Sequence, residues 1–164
     1  MKHEDLKVGS DGGDWSGTFI WRSNPKAQIL VIKYTKQGRS CIKIAGGCCT
    51  NNEHPHEALA NEITQELDLE LVSPELVHHI WTNEKVPGRH HQHFFATPET
   101  NVQGVLREKD MPDGDETLGP PFWMDVEEAL RVLFFTHLQG LKRALPIIAQ
   151  RDSEFCREVV HLMR

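Results

Sequence analysis

Glu62 and Glu66 stand four residues apart in GGCCTNNEHPHEALANEITQELDL (46–69), a stretch that opens on two glycines and carries a further acid at Glu53. On a helix, an i,i+4 pair shares one face about one turn apart. Two carboxylates so placed, entered through a Gly-rich turn, offer the oxygen ligands a hard divalent cation needs, and such cations recruit substrate phosphates to complete their shell. The chemistry this points to is metal-assisted work on a phosphate. The plainer reading is the solvated face of an amphipathic helix, and spacing alone leaves both open.

The elements that must hold these residues follow from period and punctuation. Residues 1–15, with GSDGGD, read as a flexible lead-in. GTFIWR (17–22) reads as a strand and SNPK (23–26) as a turn. QILVIKY (28–34) is a continuous apolar run rich in β-branched residues, hence a central strand. CIKIA (41–45) is a short strand delivering the chain into Gly46-Gly47. The helix spans about 56–67: Leu59, Ile63 and Leu67 form its buried stripe, and Glu62, Gln65 and Glu66 a neighbouring one. ELVHHIW (75–81) and HHQHFFAT (90–97) are strands, while 98–120 is polar and rich in Gly, Pro and Asp, with a short strand at NVQGVL. FWMDVEEALRVLF (122–134) carries one strand residue or two before a helix with Asp125 as N-cap, and 136–150 and 153–163 supply closing helices. Strands, helix, strands, helices predict an α+β fold, an α/β/α sandwich with a mixed sheet, as one domain over 16–164.

At 164 residues, 38% apolar and 26% charged, the chain can bury one core and not two comfortable ones. The net charge of −6 argues against a broad nucleic-acid surface, which needs clustered Lys and Arg. A small phosphorylated substrate stays compatible if a metal supplies local positive charge. The polar start MKHEDLKVGSDGG does not read as a signal peptide, and no apolar run reaches the ~18–20 residues of a membrane span. The expectation is a cytoplasmic protein whose thiols, Cys41, Cys48, Cys49 and Cys156, stay reduced. Most of the ten histidines crowd into 54–56, 78–79 and 89–93, without the ligand spacing of a zinc motif. They are expected on solvated or strand surfaces; His91 and His93, which share a strand face, are the pair favoured for any function.

The whole segment resembles the signature of the Nudix hydrolase family, G-x5-E-x7-R-E-U-x-E-E-x-G-U, with U aliphatic. Gly47, Glu53, Glu62, Ile63, Glu66 and Leu69 fall at the signature's positions. Asn61 stands where the family has Arg, Gln65 where it has the first Glu of the pair, Asp68 where it has Gly, and Ala45 where a Pro usually precedes the glycines. The flanks agree through Glu57-Ala58 ahead of the helix core and Trp123 followed by DVEEAL, so the resemblance covers about 16–150.

The resemblance implies a magnesium or manganese ion held by Glu62, Glu66, Gln65 and the Gly47 carbonyl, with Glu62 and Glu66 as the catalytic acids. A later acid completes such sites: Asp113, Asp115 or Glu116, with Glu116 best placed. The implied reaction is metal-dependent attack of water on phosphorus in a nucleoside diphosphate linked to another group. Gln65 offers only a neutral amide, and Asn61 can hydrogen-bond but cannot pair ionically. Both therefore also imply an alternative, a Nudix fold that binds or regulates without turnover. Asp68 tolerates the left-handed conformation a helix end often takes. Glu53, Arg89 and Phe95 are candidate substrate contacts, beside Phe94 and Trp81; Glu53 also reads as a minor ligand, Glu57 as a first-turn residue favoured by the helix dipole, and Trp123 as core. Phe134-Phe135 and the last helix could pair two chains into a homodimer, or be buried within one domain.

Overall fold

The apolar run at 28–34 forms β2 (Gln28–Lys36), in which Ile29 to Ile32 are buried on both faces. The computed structural model describes residues 13–50, 53–84 and 91–164; most of the expected lead-in and the candidate Arg89 lie outside the described residues. A strand covered on both faces must also satisfy both edges. The first half of β2 lies between β1 (Trp15–Arg22) and β11 (Phe122–Asp125), and its second half between β3 (Arg39–Lys43) and β10 (Glu116–Leu118). Strand β1 is the second hub. It pairs antiparallel with β4 (Ala45–Cys48) and parallel with β7 (Gln92–Pro98), and β7 carries β6 (His78–Asn83) outside it. A hairpin of β9 (Met111–Asp113) with β10, and a separate ribbon of β5 (Leu69–Leu71) with β8 (Val102–Gly104), complete the strands.

Alternate residues of these strands point to opposite faces, and each face has its own core. Ile20, Leu30, Ile32 and Phe95 pack against Leu59, Ile63 and Leu67 of α1 (Pro55–Leu67). Phe19, Ile29, Val31 and Phe94 pack against α2 (Val126–Val132), α3 (Phe135–Arg151) and α4 (Ser153–Val159). The result is the expected α+β sandwich with a mixed sheet, the acid-bearing helix on one side and the C-terminal helices on the other.

Four local expectations change. The pair Gly46-Gly47 is strand, not turn: β3 ends at Lys43 beside β2, and the chain crosses through the buried Ile44 to begin β4 beside β1. Strand β1 begins at Trp15, with Asp14 already buried, so the ordered domain starts ahead of residue 16. The stretch expected as strand from 75 begins as a one-turn helix over Pro74–Leu76, where proline fixes φ, and becomes strand only at His78. The polar 98–120 stretch hides the β9–β10 hairpin, closed by a two-residue turn with Gly114 at φ +65°. Asp125 does sit at the start of α2, yet its carboxylate accepts from Gln28 (2.8 Å) and faces Lys26 rather than capping the helix.

One buried cation joins the hairpin to α1. Arg107, 9% exposed, donates to the carbonyl oxygens of Glu66 (2.9 Å), Leu118 (3.2 Å), Gly119 (2.8 Å) and Lys109. It thus supplies partners for a carbonyl in the last turn of α1, where positive charge is favoured, and fixes where β9–β10 sits relative to that helix. Arg107→Met is expected to lower stability by about 2–4 kcal/mol, because several buried carbonyls lose charge-assisted donors. Urea unfolding monitored by tryptophan fluorescence checks this.

Candidate active site

Helix α1 is aimed at β4 by caps at both ends. His54 occupies the N-cap, its Nδ1 accepting the His56 N–H (3.2 Å), while the Glu57 carboxylate accepts the His54 N–H (3.3 Å) in a reciprocal box. At the other end Asp68 takes the left-handed conformation (φ 60°), the role expected of it, and returns its N–H to Thr64.

The two glycines of β4 then pass directly beneath the carboxylates. A Cβ on Gly47 would lie 2.4 Å from Glu62 Oε1, and one on Gly46 would lie 2.7 Å from the Ser16 carbonyl oxygen. Glycine is required here for close approach. The Gly46 N–H donates to Glu66 Oε1 at 2.8 Å, so the second carboxylate is held by the strand itself. On the other side of β4 the Trp15 indole lies over Gly17 and Gly46 and packs near His137 (4.9 Å between ring centres).

Glu66 is 5% exposed and Glu62 is partly buried. Burial pushes the Glu62 carboxyl up to about 7, with the charges of Glu66, Glu53 and Asp113 acting the same way and Lys43 opposing. Burial raises Glu66 as well, against Lys43 and the Gly46 N–H. Lys43 sits 3.4 Å from Glu66 Oε2 and donates to the Gly46 carbonyl oxygen at 3.5 Å. The site therefore gathers more negative charge than its one lysine balances. That excess, on oxygen donors, suits a hard divalent cation.

The remaining candidates divide. Glu53 is tied to the helix by Asn61 Nδ2 (2.7 Å) and accepts the Thr50 N–H, so Asn61 keeps a hydrogen bond where an ion pair was expected to be missing. Gln65 is exposed on the flank of the same turn, about 60° around the helix from Glu62. Glu116 is engaged by the Tyr34 hydroxyl and by Lys36 (3.4 Å), contacts that lower its pKa. Among the acids of that hairpin it is Asp113 whose charge raises both Glu62 and Glu66. Phe95, expected at the substrate, is fully buried between the sheet and α1 with the edge of His56 4.6 Å away; it is a core residue, because its strand position faces the helix. Phe94 is equally buried, and Trp81 stacks on it (5.4 Å) beneath the Arg143 guanidinium. Trp123 is partly buried against the core and lies under the Arg22 guanidinium, and Phe134 and Phe135 are exposed, at 49% and 67%, rather than buried in the domain. Lys43 and the His54 cap were missed. Lys43 is next but two before Gly46, in a segment whose alternation marked only a strand, and histidine is not among the common N-cap residues.

No family model matches the sequence, and no curated protein does. The structure, however, is similar to solved structures, among them a Nudix hydrolase and a Nudix domain. These include the E. coli ORF135 protein in solution (20% identity, TM-score 0.63, 86% of this chain and 94% of that one). The MutT Nudix hydrolase of Burkholderia pseudomallei aligns with 16% identity and TM-score 0.63 over 82% of this chain and 98% of that one. The Nudix domain of Shewanella oneidensis NrtR, solved in complex with ADP ribose, aligns with 9% identity and TM-score 0.65 over 85% and 90%. The chain has the Nudix fold.

The perturbed Glu62 has a measurable consequence. Its carboxyl ionises near 4.5 when unfolded and near 7 when folded, so the folded state holds the extra proton between those values. Stability from this group is complete below the lower value and is lost as pH rises through the upper one. In metal-free buffer, Glu62→Gln is expected to be more stable than the native protein at pH 8 by about 1–2 kcal/mol, allowing for solvent screening, and to match it at pH 4. Urea titrations at the two pH values check this.

Proposed function

We propose that the chain is a Nudix-type hydrolase that cleaves the diphosphate of a nucleoside diphosphate linked to another group. The observation that carries this is Glu62, held against Gly47 among three other acids with its carboxyl poised near neutral pH. A bound magnesium or manganese ion, with Glu62, Glu66, Asp113 and the Gly47 carbonyl as the donors to hand, would neutralise the diphosphate oxygens. Glu62 is the general base: its carboxylate takes a proton from the attacking water as the new oxygen–phosphorus bond forms and the bond to the leaving phosphate breaks. Without metal, burial holds the Glu62 carboxyl up at about 7; a cation on it would lower that value and leave the base ionised at working pH. Lys43 and the Gly46 N–H oppose the burial that raises Glu66 and hold its carboxylate in place, and the Arg107 clamp holds the hairpin that carries Asp113. The ADP-ribose complex of the NrtR domain supports a nucleotide-type ligand.

Lys43 also favours a second reading. Its ammonium already lies on Glu66 and on the Gly46 carbonyl, and Gln65 contributes no charge. A module that binds a nucleotide without turnover would keep such an internal cation.

Hydrolysis of nucleoside diphosphate derivatives with magnesium or manganese separates the two. Glu62→Gln is expected to lower kcat by about 10²–10⁴-fold. Equal rates in the native protein and the variant would remove the assignment. Nucleotide binding that ignores chelator, with no product in any metal, would establish the second reading. Gln65→Glu is expected to tighten metal dependence by restoring a carboxylate.

A further inference from the structure

The favoured histidine pair does come together with another residue, on the α1 face of the sheet and at the N-terminal end of β1. Asp14 is 1% exposed, His93 is 0% exposed and His91 is partly exposed; one ligand atom from each lies within 4.8 Å of the others. We propose that Asp14, His91 and His93 form a binding site for a zinc-class divalent transition metal, separate from the carboxylates of α1.

Two imidazoles and one carboxylate are the donors such metals take, whereas magnesium prefers oxygen alone. Tetrahedral zinc with bonds of about 2.0–2.1 Å sets ligand atoms roughly 3.3 Å apart. His93 Nε2 and Asp14 Oδ2 are 2.8 Å apart and the ligand atoms of the trio all lie within 4.8 Å of one another, so adjustments of at most about 1.5 Å bring them to that spacing.

The second layer is already in place. Asp14 Oδ1 accepts the His91 N–H at 3.1 Å, which aims Oδ2 at His93. His93 Nδ1 lies 3.0 Å from Thr82 Oγ1, which lies 2.8 Å from His79 Nε2. The rotatable Thr82 hydroxyl can donate in either direction along this relay. With metal on His93 Nε2, Nδ1–H donates to Thr82 and Thr82 donates to His79, so the relay stays paired. Metal-bound histidines are generally oriented by such contacts through their other ring nitrogen.

The position also has a purpose. Asp14 O accepts the Cys49 N–H at 2.6 Å, immediately after Gly46-Gly47 and Cys48, and His91 O accepts the Trp15 N–H at 2.8 Å. A metal joining Asp14 to β7 would lock the exit of β4 and the start of β1 together. His54, near enough for its charge to reach His93, begins the helix on which Glu62 lies eight residues on, about 12 Å along the axis. The two sites are close in the fold but do not share ligands.

The test is a calorimetric titration of chelator-treated full-length protein with zinc chloride, with thermal unfolding in parallel. The expected result is one tightly bound zinc per chain, apart from any weaker binding at the α1 carboxylates, and a raised Tm. Asp14→Asn and His91→Ala should each weaken zinc binding at least tenfold, while Glu62→Gln leaves it unchanged. His91 is the safer variant because its side chain is partly exposed, and circular dichroism verifies that it folds. Cobalt substitution should give visible absorption in the native protein and lose it in His91→Ala. Absence of stoichiometric zinc binding, or binding that survives His91→Ala but is lost in Glu62→Gln, would overturn the proposal.

Discussion

The absence of side chains at Gly46 and Gly47 is the constraint on which the candidate active site depends. It lets β4 lie against α1 so closely that one strand residue touches the Glu62 carboxylate and its neighbour donates to Glu66. Neither acid would otherwise be both buried and fixed. The same approach gives the Trp15 indole a bare surface on the opposite side of β4, where Gly17 pairs with Gly46. Everything around the glycines serves to hold this contact. The crossover at Ile44 brings the strand in, the His54 and Asp68 caps set the helix, and Arg107 brings the β9–β10 hairpin up to the helix's last turn.

Electrostatics then decides what the contact can do. Burial of like charges is costly unless something positive arrives. In this chain Lys43 answers part of the excess, at Glu66, and leaves Glu62 with its proton affinity raised. Asn61 leaves Glu53 hydrogen-bonded rather than ion-paired, so Asn61 adds no positive charge to the cluster. The unbalanced charge suits a divalent cation, and in its absence burial and the neighbouring acids raise the Glu62 carboxyl to about 7. A single lysine thus stands between a working base and a self-neutralised binding site.

Much of this was legible in the sequence, for reasons that differ by element. The stripe Leu59, Ile63, Leu67 and the apolar run of β2 announce themselves because burial imposes a period. Glu62 and Glu66 follow from that stripe, since they must lie beside it. What could not be read were contacts made across the chain. Lys43 meets Glu66 only because β3 and β4 belong to different neighbours. Asp113 rather than Glu116 is the hairpin acid whose charge reaches the carboxylates, and Glu116 is engaged by Tyr34, which is distant in sequence. Phe95 was placed on the wrong side of its strand for want of a register. Asp14 gave no signal at all: its partner His93 is 79 residues away, and parallel pairing of β1 with β7 brings them together.

The most direct measurement is anomalous diffraction from crystals soaked in manganese. A peak within coordination distance of the Glu62 carboxylate, accompanied by withdrawal of Lys43 from Glu66, is the predicted result. Saturating manganese with no peak at Glu62, and Lys43 still seated on Glu66 and the Gly46 carbonyl, would contradict the account.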